Sequence, residues 1–379
     1  MIWIDRGLGW FWARVAASAA PAVAGLGFLR ILTGLFLMLI VAPYAYWVGE
    51  SPPTFFNPPR LSVMALASGF PSTPVMWLAD IVAFALGCCL LLGVRARLDT
   101  LLLVVVGVVS SNAAMCFGKI DHDAMLWTFL ACMAFSGWGR TLALVPDKPS
   151  ELDRPERAFA LMAVCLGFAM SVIGLHKALG WVDFDLQTNG FLGWFVQGYF
   201  VVGRNDLLAN YVTLIPPLGL ELMDYAGVVF EGSCFIALLI GPRVWRCWVL
   251  AACVFHLTNI LTLNIPFLQN LLIYLAFVDF GAVQHKLEQW WAKRGLRWAF
   301  GALGVGMVLT HLALRSAGVG RWLLFVLDEV HDNPFVLRFS AALYVVAFLV
   351  VLHDLARRWR APSREPPLTG SLPAPSTPA

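Results

Sequence analysis

Apolar residues occur along this chain in long blocks rather than in alternation, and the blocks have the length of membrane spans. A helix needs about twenty apolar residues to cross a hydrocarbon core near 30 Å thick. Segments of about that length fall at residues 22 to 47, 74 to 94, 98 to 117, 122 to 138, 158 to 181, 214 to 241, 246 to 264, 266 to 283, 296 to 316 and 335 to 355. The fourth and eighth are the shortest. The pattern predicts an all-α fold, a polytopic integral membrane helical bundle of about ten transmembrane helices.

The intervening stretches differ in kind. Residues 1 to 20 mix Arg6 and Arg14 with Trp3, Trp10, Phe11 and Trp12, which predicts an amphipathic helix lying in the interface. Ser51 to Pro74 and Trp181 to Pro217 are rich in aromatics and are expected to lie in the interface or fold back over helix ends. Residues 357 to 379 begin with Arg357, Arg358 and Arg360, turn to Pro and Ser from Ala361 onward, and read as a disordered cytoplasmic tail.

Composition excludes an ordinary soluble domain. Apolar residues make up 60% and charged residues 13% of the chain, with a mean hydropathy of +0.76, against roughly half and a quarter in soluble proteins. The lipid bilayer is therefore the first expected partner, and nucleic acid is not one. The eight cysteines lie in or beside apolar blocks and form no CxxC, so neither a disulfide framework nor a metal site is expected from spacing.

The placement of basic residues says more than the net charge of +3. Arg95 and Arg97; Arg140, Lys148, Arg154 and Arg157; Arg243 and Arg246; Lys286, Lys293, Arg294 and Arg297; and Arg357, Arg358 and Arg360 fall on alternate connections. By the positive-inside rule these connections and both termini are cytoplasmic. The absence of a cleavable signal pattern makes a bacterial cytoplasmic membrane the expected location.

This topology directs several titratable groups to the outer half of the membrane. His122, with Asp121 and Asp123, falls at the outer turn after the third span, and His176 and Lys177 fall near the outer end of the fifth. His256 lies roughly 12 Å below the outer end of the seventh span at Asn264. Glu231 sits near mid-membrane in the sixth, with Glu221 and Asp224 above it. Ionisable groups at such depth are costly and mark functional sites by default. Blander roles stand beside this one: Lys177 snorkelling to the interface, His122 as a loop residue, Glu231 with His256 as a clasp between spans, and Arg30 with Asp80 as another.

Several of these residues sit in segments with a familiar order. Ile173-Gly174-Leu175-His176-Lys177-Ala178-Leu179-Gly180, then Val229-Phe230-Glu231-Gly232, a basic turn at Arg243, Val254-Phe255-His256-Leu257-Thr258-Asn259 and Asn264-Ile265-Pro266-Phe267 together resemble the membrane domain of the vitamin K-dependent gamma-glutamyl carboxylases. This horizontally transferred transmembrane domain also occurs alone in bacterial proteins. Upstream, Gly118-Lys119-Ile120-Asp121-His122-Asp123-Ala124-Met125-Leu126 is similar to a carboxylase segment carrying a functional histidine. The resemblance covers residues 22 to 283, leaving residues 284 to 356 as additional transmembrane helices.

The resemblance implies Lys177 as the base that deprotonates a vitamin K-type hydroquinone, His122 in substrate handling and His256 as a further site residue. His176 stands where the family has a second lysine, and Glu231, Asp123 and Asn259 are the implied substrate contacts. In the carboxylases the hydroquinone reacts with oxygen to give a strong base that removes a glutamate gamma proton, carbon dioxide adds, and the quinone leaves as its epoxide. Those enzymes continue into a large extramembrane domain, whereas here two predicted spans and the tail follow. Two classes of function result: a quinol-dependent, carboxylase-like enzyme, or a non-catalytic membrane protein that carries a small lipophile or assists assembly.

Overall fold

A computed structural model describes residues 2–20, 23–41, 45–60, 62–117, 123–183, 185–316 and 334–360. The helices are α1 (Ile2–Ser18), α2 (Leu26–Phe36), α3 (Thr73–Leu92), α4 (Ala96–Ala114), α5 (Asp123–Met133), α6 (Pro155–Trp181), α7 (Gly190–Val196), α8 (Ala209–Val212), α9 (Pro217–Gly232), α10 (Cys234–Ile240), α11 (Pro242–Leu263), α12 (Leu268–Ala276), α13 (Gly281–Trp291), α14 (Arg294–Ser316) and α15 (Pro334–Arg360). Among the described residues the only extended pairings are two isolated bridges, Asn57 with Phe117 and Val94 with Val145.

Local sequence sets many of the boundaries. Proline opens α6, α9 and α11 and lies in the first turn of α3, where its missing N–H costs nothing. α3 ends at Gly93, whose φ of 68° lets the amides of Gly93 and Val94 return to the carbonyls of Leu90 and Cys89. α11 ends at Asn264 with φ 52°, and its side-chain amide donates to the carbonyls of Ile260 and Asp206, each at 3.1 Å.

Seven stretches among the described residues are long and apolar enough to cross a membrane: Val23–Glu50, Thr73–Leu92, Ala96–Ala114, Pro155–Trp181, Pro242–Leu263, Gly295–Ala313 and Phe335–Arg360. The pair α9 and α10, bent by 47°, makes an eighth if taken as one span. The protein is thus a multi-pass helical membrane protein. The fourth and eighth expected spans contain helices of only 11 and 9 residues, α5 and α12, shorter than one crossing requires. Both helices still run between the two ends of the bundle, and they do so inside it: Phe129, Leu130 and Met133 of α5 and Leu271, Leu272, Ile273 and Tyr274 of α12 are buried in the main core.

Contacts gather the basic connections at one end of the bundle. Arg97 and Arg140 both pair with Asp153, and Gln284 of α13 donates to Thr141 at 3.0 Å. Arg14 of α1 donates to the carbonyls of Leu239 and Ile240 at the end of α10, and Arg357 pairs with Asp279 at 2.6 Å. At the opposite end Asp80 accepts from the amides of Ala45 and Tyr46 at 2.9 to 3.0 Å, and Asp206 meets Asn264 and Arg338. The expected Arg30–Asp80 clasp is therefore corrected: Arg30 donates to backbone carbonyls of Leu90, Leu91, Thr141 and Leu142, because it faces the end of α3 and not its middle. On α1, Val15 is buried while Trp10 and Trp12 are exposed. The expected tail from Ala361 onward lies outside the described residues.

Candidate functional site

α6 and α9 pack closely near the non-basic end, and glycine permits it. A Cβ at Gly174 would come within 2.7 Å of the Gly232 nitrogen and 3.0 Å of the Glu231 Cβ. This approach places Lys177, nearly one turn further along α6, against the acidic face of α9. Lys177 Nζ lies 2.7 Å from Glu231 Oε1, with the two side chains 20% and 4% exposed. The ammonium also lies 4.8 Å from the Trp181 ring centroid and 5.8 Å from that of Phe255, so aromatic faces flank it and add cation–π attraction.

The buried stripe of α9 comprises Leu220, Glu221, Asp224, Gly227 and Glu231. Asp224 accepts from the amides of Gly190 and Phe191, each at 2.8 Å, and so caps the start of α7 together with Asn189, which accepts from Leu192 at 2.7 Å. Glu231 Oε2 and both carboxylate oxygens of Glu221 are buried without a hydrogen-bond partner. Gly227 is buried as well, yet a Cβ there would meet only Phe255 Cε2, at 4.0 Å. Room for a methyl group at Gly227 thus lies one turn from Glu231, whose second oxygen is a buried acceptor without a donor.

Beyond Trp181 the chain turns in a polar loop outside the spans. There the Thr188 hydroxyl, 2.6 Å away, and then the Asp185 amide hold the Asp183 carboxyl below its usual range. The loop leads into Gly190, where an added Cβ would strike the Trp181 indole. Glycine at this point lets α7 dock on the residue that covers Lys177.

His256 belongs to a second network on another face of α11. Its Nε2 lies 2.7 Å from the Tyr274 hydroxyl and 3.4 Å from Asn270 Nδ2. Phe267 and Tyr344 pack around the ring, and the Tyr344 hydroxyl donates to the Phe267 carbonyl at 2.5 Å. The two networks adjoin, because Phe255 stacks on Phe230 beside Glu231 at 4.6 Å and meets the His256 ring edge-on at 5.3 Å.

No family model, curated protein or solved structure matches the chain. The site therefore rests on geometry. Of the expected residues, Lys177 and Glu231 touch, and His256 stands on the neighbouring face with Tyr274 rather than in a clasp with Glu231. Asn259 is half-buried one turn beyond Phe255, and His176 is exposed among the bilayer-facing residues Val172, Ile173, Leu175 and Leu179. His122 lies outside the described residues, as does the side chain of Asp123. Among the described residues no three His, Cys, Asp or Glu side chains are grouped to hold a metal ion. The sequence reading missed Trp181, Phe255, Asn270 and Tyr274. Trp181 could have been found from its i, i+4 spacing to Lys177, and Tyr274 from a hydroxyl set inside an apolar run.

The α6–α9 contact gives a direct test. Gly174→Ala is expected to destabilise the protein by about 1–3 kcal/mol through overpacking, because the clash is with backbone that cannot rotate away. Gly180→Ala, where a Cβ meets nothing within 4 Å, should be neutral or stabilising by up to about 1 kcal/mol. Melting curves of the two variants in detergent decide it, and equal effects would remove the close approach from the account.

Proposed function

We propose that the protein is a membrane enzyme that handles a proton of a lipophilic quinol, with Lys177 as the base and Glu231 as its charge partner. The resemblance to the carboxylase membrane domain supplies the reaction class, and one observation carries the reading to this site: Glu231 engages Lys177 with one oxygen while its other oxygen is buried without a donor. A hydroxyl-bearing ring fits what is there. It would offer a donor to the free oxygen and lie beside Gly227 against the Phe255 ring.

Lysine acts as a base only after losing its proton, which a low-dielectric setting favours. Glu231 is placed to take that proton over the 2.7 Å contact, leaving an amine beside a neutral acid. The amine can then accept a proton from the bound hydroxyl. Trp181 and Phe255 limit water at Lys177, and Asp224 fixes α7 over the site. When bound, the quinol supplies the reaction with oxygen, which drives the oxygenation or carboxylation step. In this reading the basic end of the bundle and both termini face the cytoplasm of a bacterial cell, and the Lys177 site opens to the outer leaflet.

Oxygen uptake by the purified protein in lipid nanodiscs, supported by a vitamin K-type hydroquinone, is the test. Uptake above the protein-free rate supports the enzyme. Saturable binding of the hydroquinone without uptake would replace it with the non-catalytic alternative, a carrier of a small lipophile.

A further inference from the structure

A second cluster, made of sulfur and imidazole, lies where α14 packs on α3. Met38, Phe84 and Cys88 form a separate buried group, with Met307 and Val308 of α14 packed against it. Met38 belongs to a π-helical turn, Leu37–Val41, that follows α2, and such bulges are frequent at functional sites. Gly87 makes room for its sulfur: a Cβ there would stand 3.0 Å from Met38 Sδ. His311 is 3% exposed and stacks on Phe84 with ring centroids 3.8 Å apart. Met307 and His311 are four residues apart on α14 and share a face.

Two sulfurs of the cluster are in contact. Met38 Sδ and Cys88 Sγ are 3.6 Å apart, so one ion about 2.3 Å from each would subtend an angle of about 100°, near tetrahedral. We propose that Met38, Cys88, Met307 and His311 form a binding site for a soft monovalent cation, Cu(I). Thioether and thiolate donors select Cu(I) over harder ions, and the carboxylates that would suit Mg²⁺ or Ca²⁺ are missing from this cluster. Charge balance agrees with the setting. Binding releases the Cys88 thiol proton to solvent, and the thiolate with the cation leaves a neutral unit, which an apolar interior tolerates far better than a lone ion. Cys88 lies about 6 Å along α3 from its end at Leu92, which sets the length of the path a cation takes to the cluster.

The purified full-length protein in detergent, under anaerobic reducing conditions, is offered Cu(I) in competition with bicinchoninate. Wild type is expected to retain one Cu(I) per chain, with X-ray absorption showing sulfur at about 2.3 Å. Cys88→Ser, Met38→Leu and Met307→Leu should each weaken retention at least as much as the roughly 100-fold that loss of an outer-shell partner can cost. Cys247→Ser, at an exposed cysteine, should behave as wild type. The two Met→Leu changes conserve volume and keep the fold, so they decide the matter even if the serine variant does not fold. Wild type that yields all its Cu(I) to bicinchoninate, or Met38→Leu and Met307→Leu that retain it unchanged, overturns the site.

Discussion

Replacing Lys177 with methionine is expected to lower quinol-supported oxygen uptake by roughly 10²–10⁴-fold, the usual contribution of a positioned base. Stability should fall too, because the change leaves Glu231 buried without its partner. Breaking one side of a buried pair costs about 3–5 kcal/mol, whereas replacing both members with apolar residues is often neutral. The double variant Lys177→Met with Glu231→Met should therefore melt close to wild type and remain inactive, which separates the structural role of the pair from the catalytic one. Lys177→Arg keeps the charge and the partner but cannot give up its proton, so it should fold normally and show no uptake. Oxygen-electrode rates and melting temperatures for the four proteins are the measurement. Uptake retained by the arginine or the double variant would falsify Lys177 as the base.

The sequence made the membrane architecture legible because apolar length is a direct physical requirement of the bilayer. Composition says less about residues 122 to 138 and 266 to 283, because a buried core helix and a span share it, and the helices found there, α5 and α12, have only 11 and 9 residues. Depth along a helix could be counted, so Lys177, Glu231 and His256 were all placed in one half of the membrane. Facing could not. His176 and Lys177 are adjacent in sequence yet point to bilayer and interior, and Phe255 and His256 divide between two networks because neighbours on a helix diverge by about 100°. Partner choice was likewise hidden: whether Glu231 takes Lys177 or His256 depends on the Gly174 contact that brings α6 onto α9.

Arg30 illustrates the same limit, and it should be the most costly residue to lose outside the site. Its guanidinium is fully buried and donates through Nη1 to the carbonyls of Leu90 and Leu91, at 2.9 Å for Leu91. Through Nη2 it reaches Leu142 at 2.6 Å and Thr141 at 3.5 Å. Leu90 and Leu91 are among the last residues of α3, where carbonyls lack helical partners and a cation is favoured by the helix dipole. One side chain of α2 thus ties down the end of α3 and the strap that follows α5. The Leu90 carbonyl keeps the Gly93 amide, but Arg30→Met would take the Arg30 donors from the Leu91, Thr141 and Leu142 carbonyls, at about 1–3 kcal/mol for each that finds no replacement, so a total loss of about 3–5 kcal/mol is expected. Arg30→Lys keeps the charge but offers a point rather than a planar fork, and it cannot bridge both sets of carbonyls, so an intermediate loss should follow. Because Arg30 lies at the basic end, far from Lys177, the folded fraction of either variant should keep its full quinol-supported rate. Thermal unfolding and rate per folded molecule test both halves of this expectation, and an Arg30→Met protein as stable as wild type would show that α2 and α3 are held together by apolar packing alone.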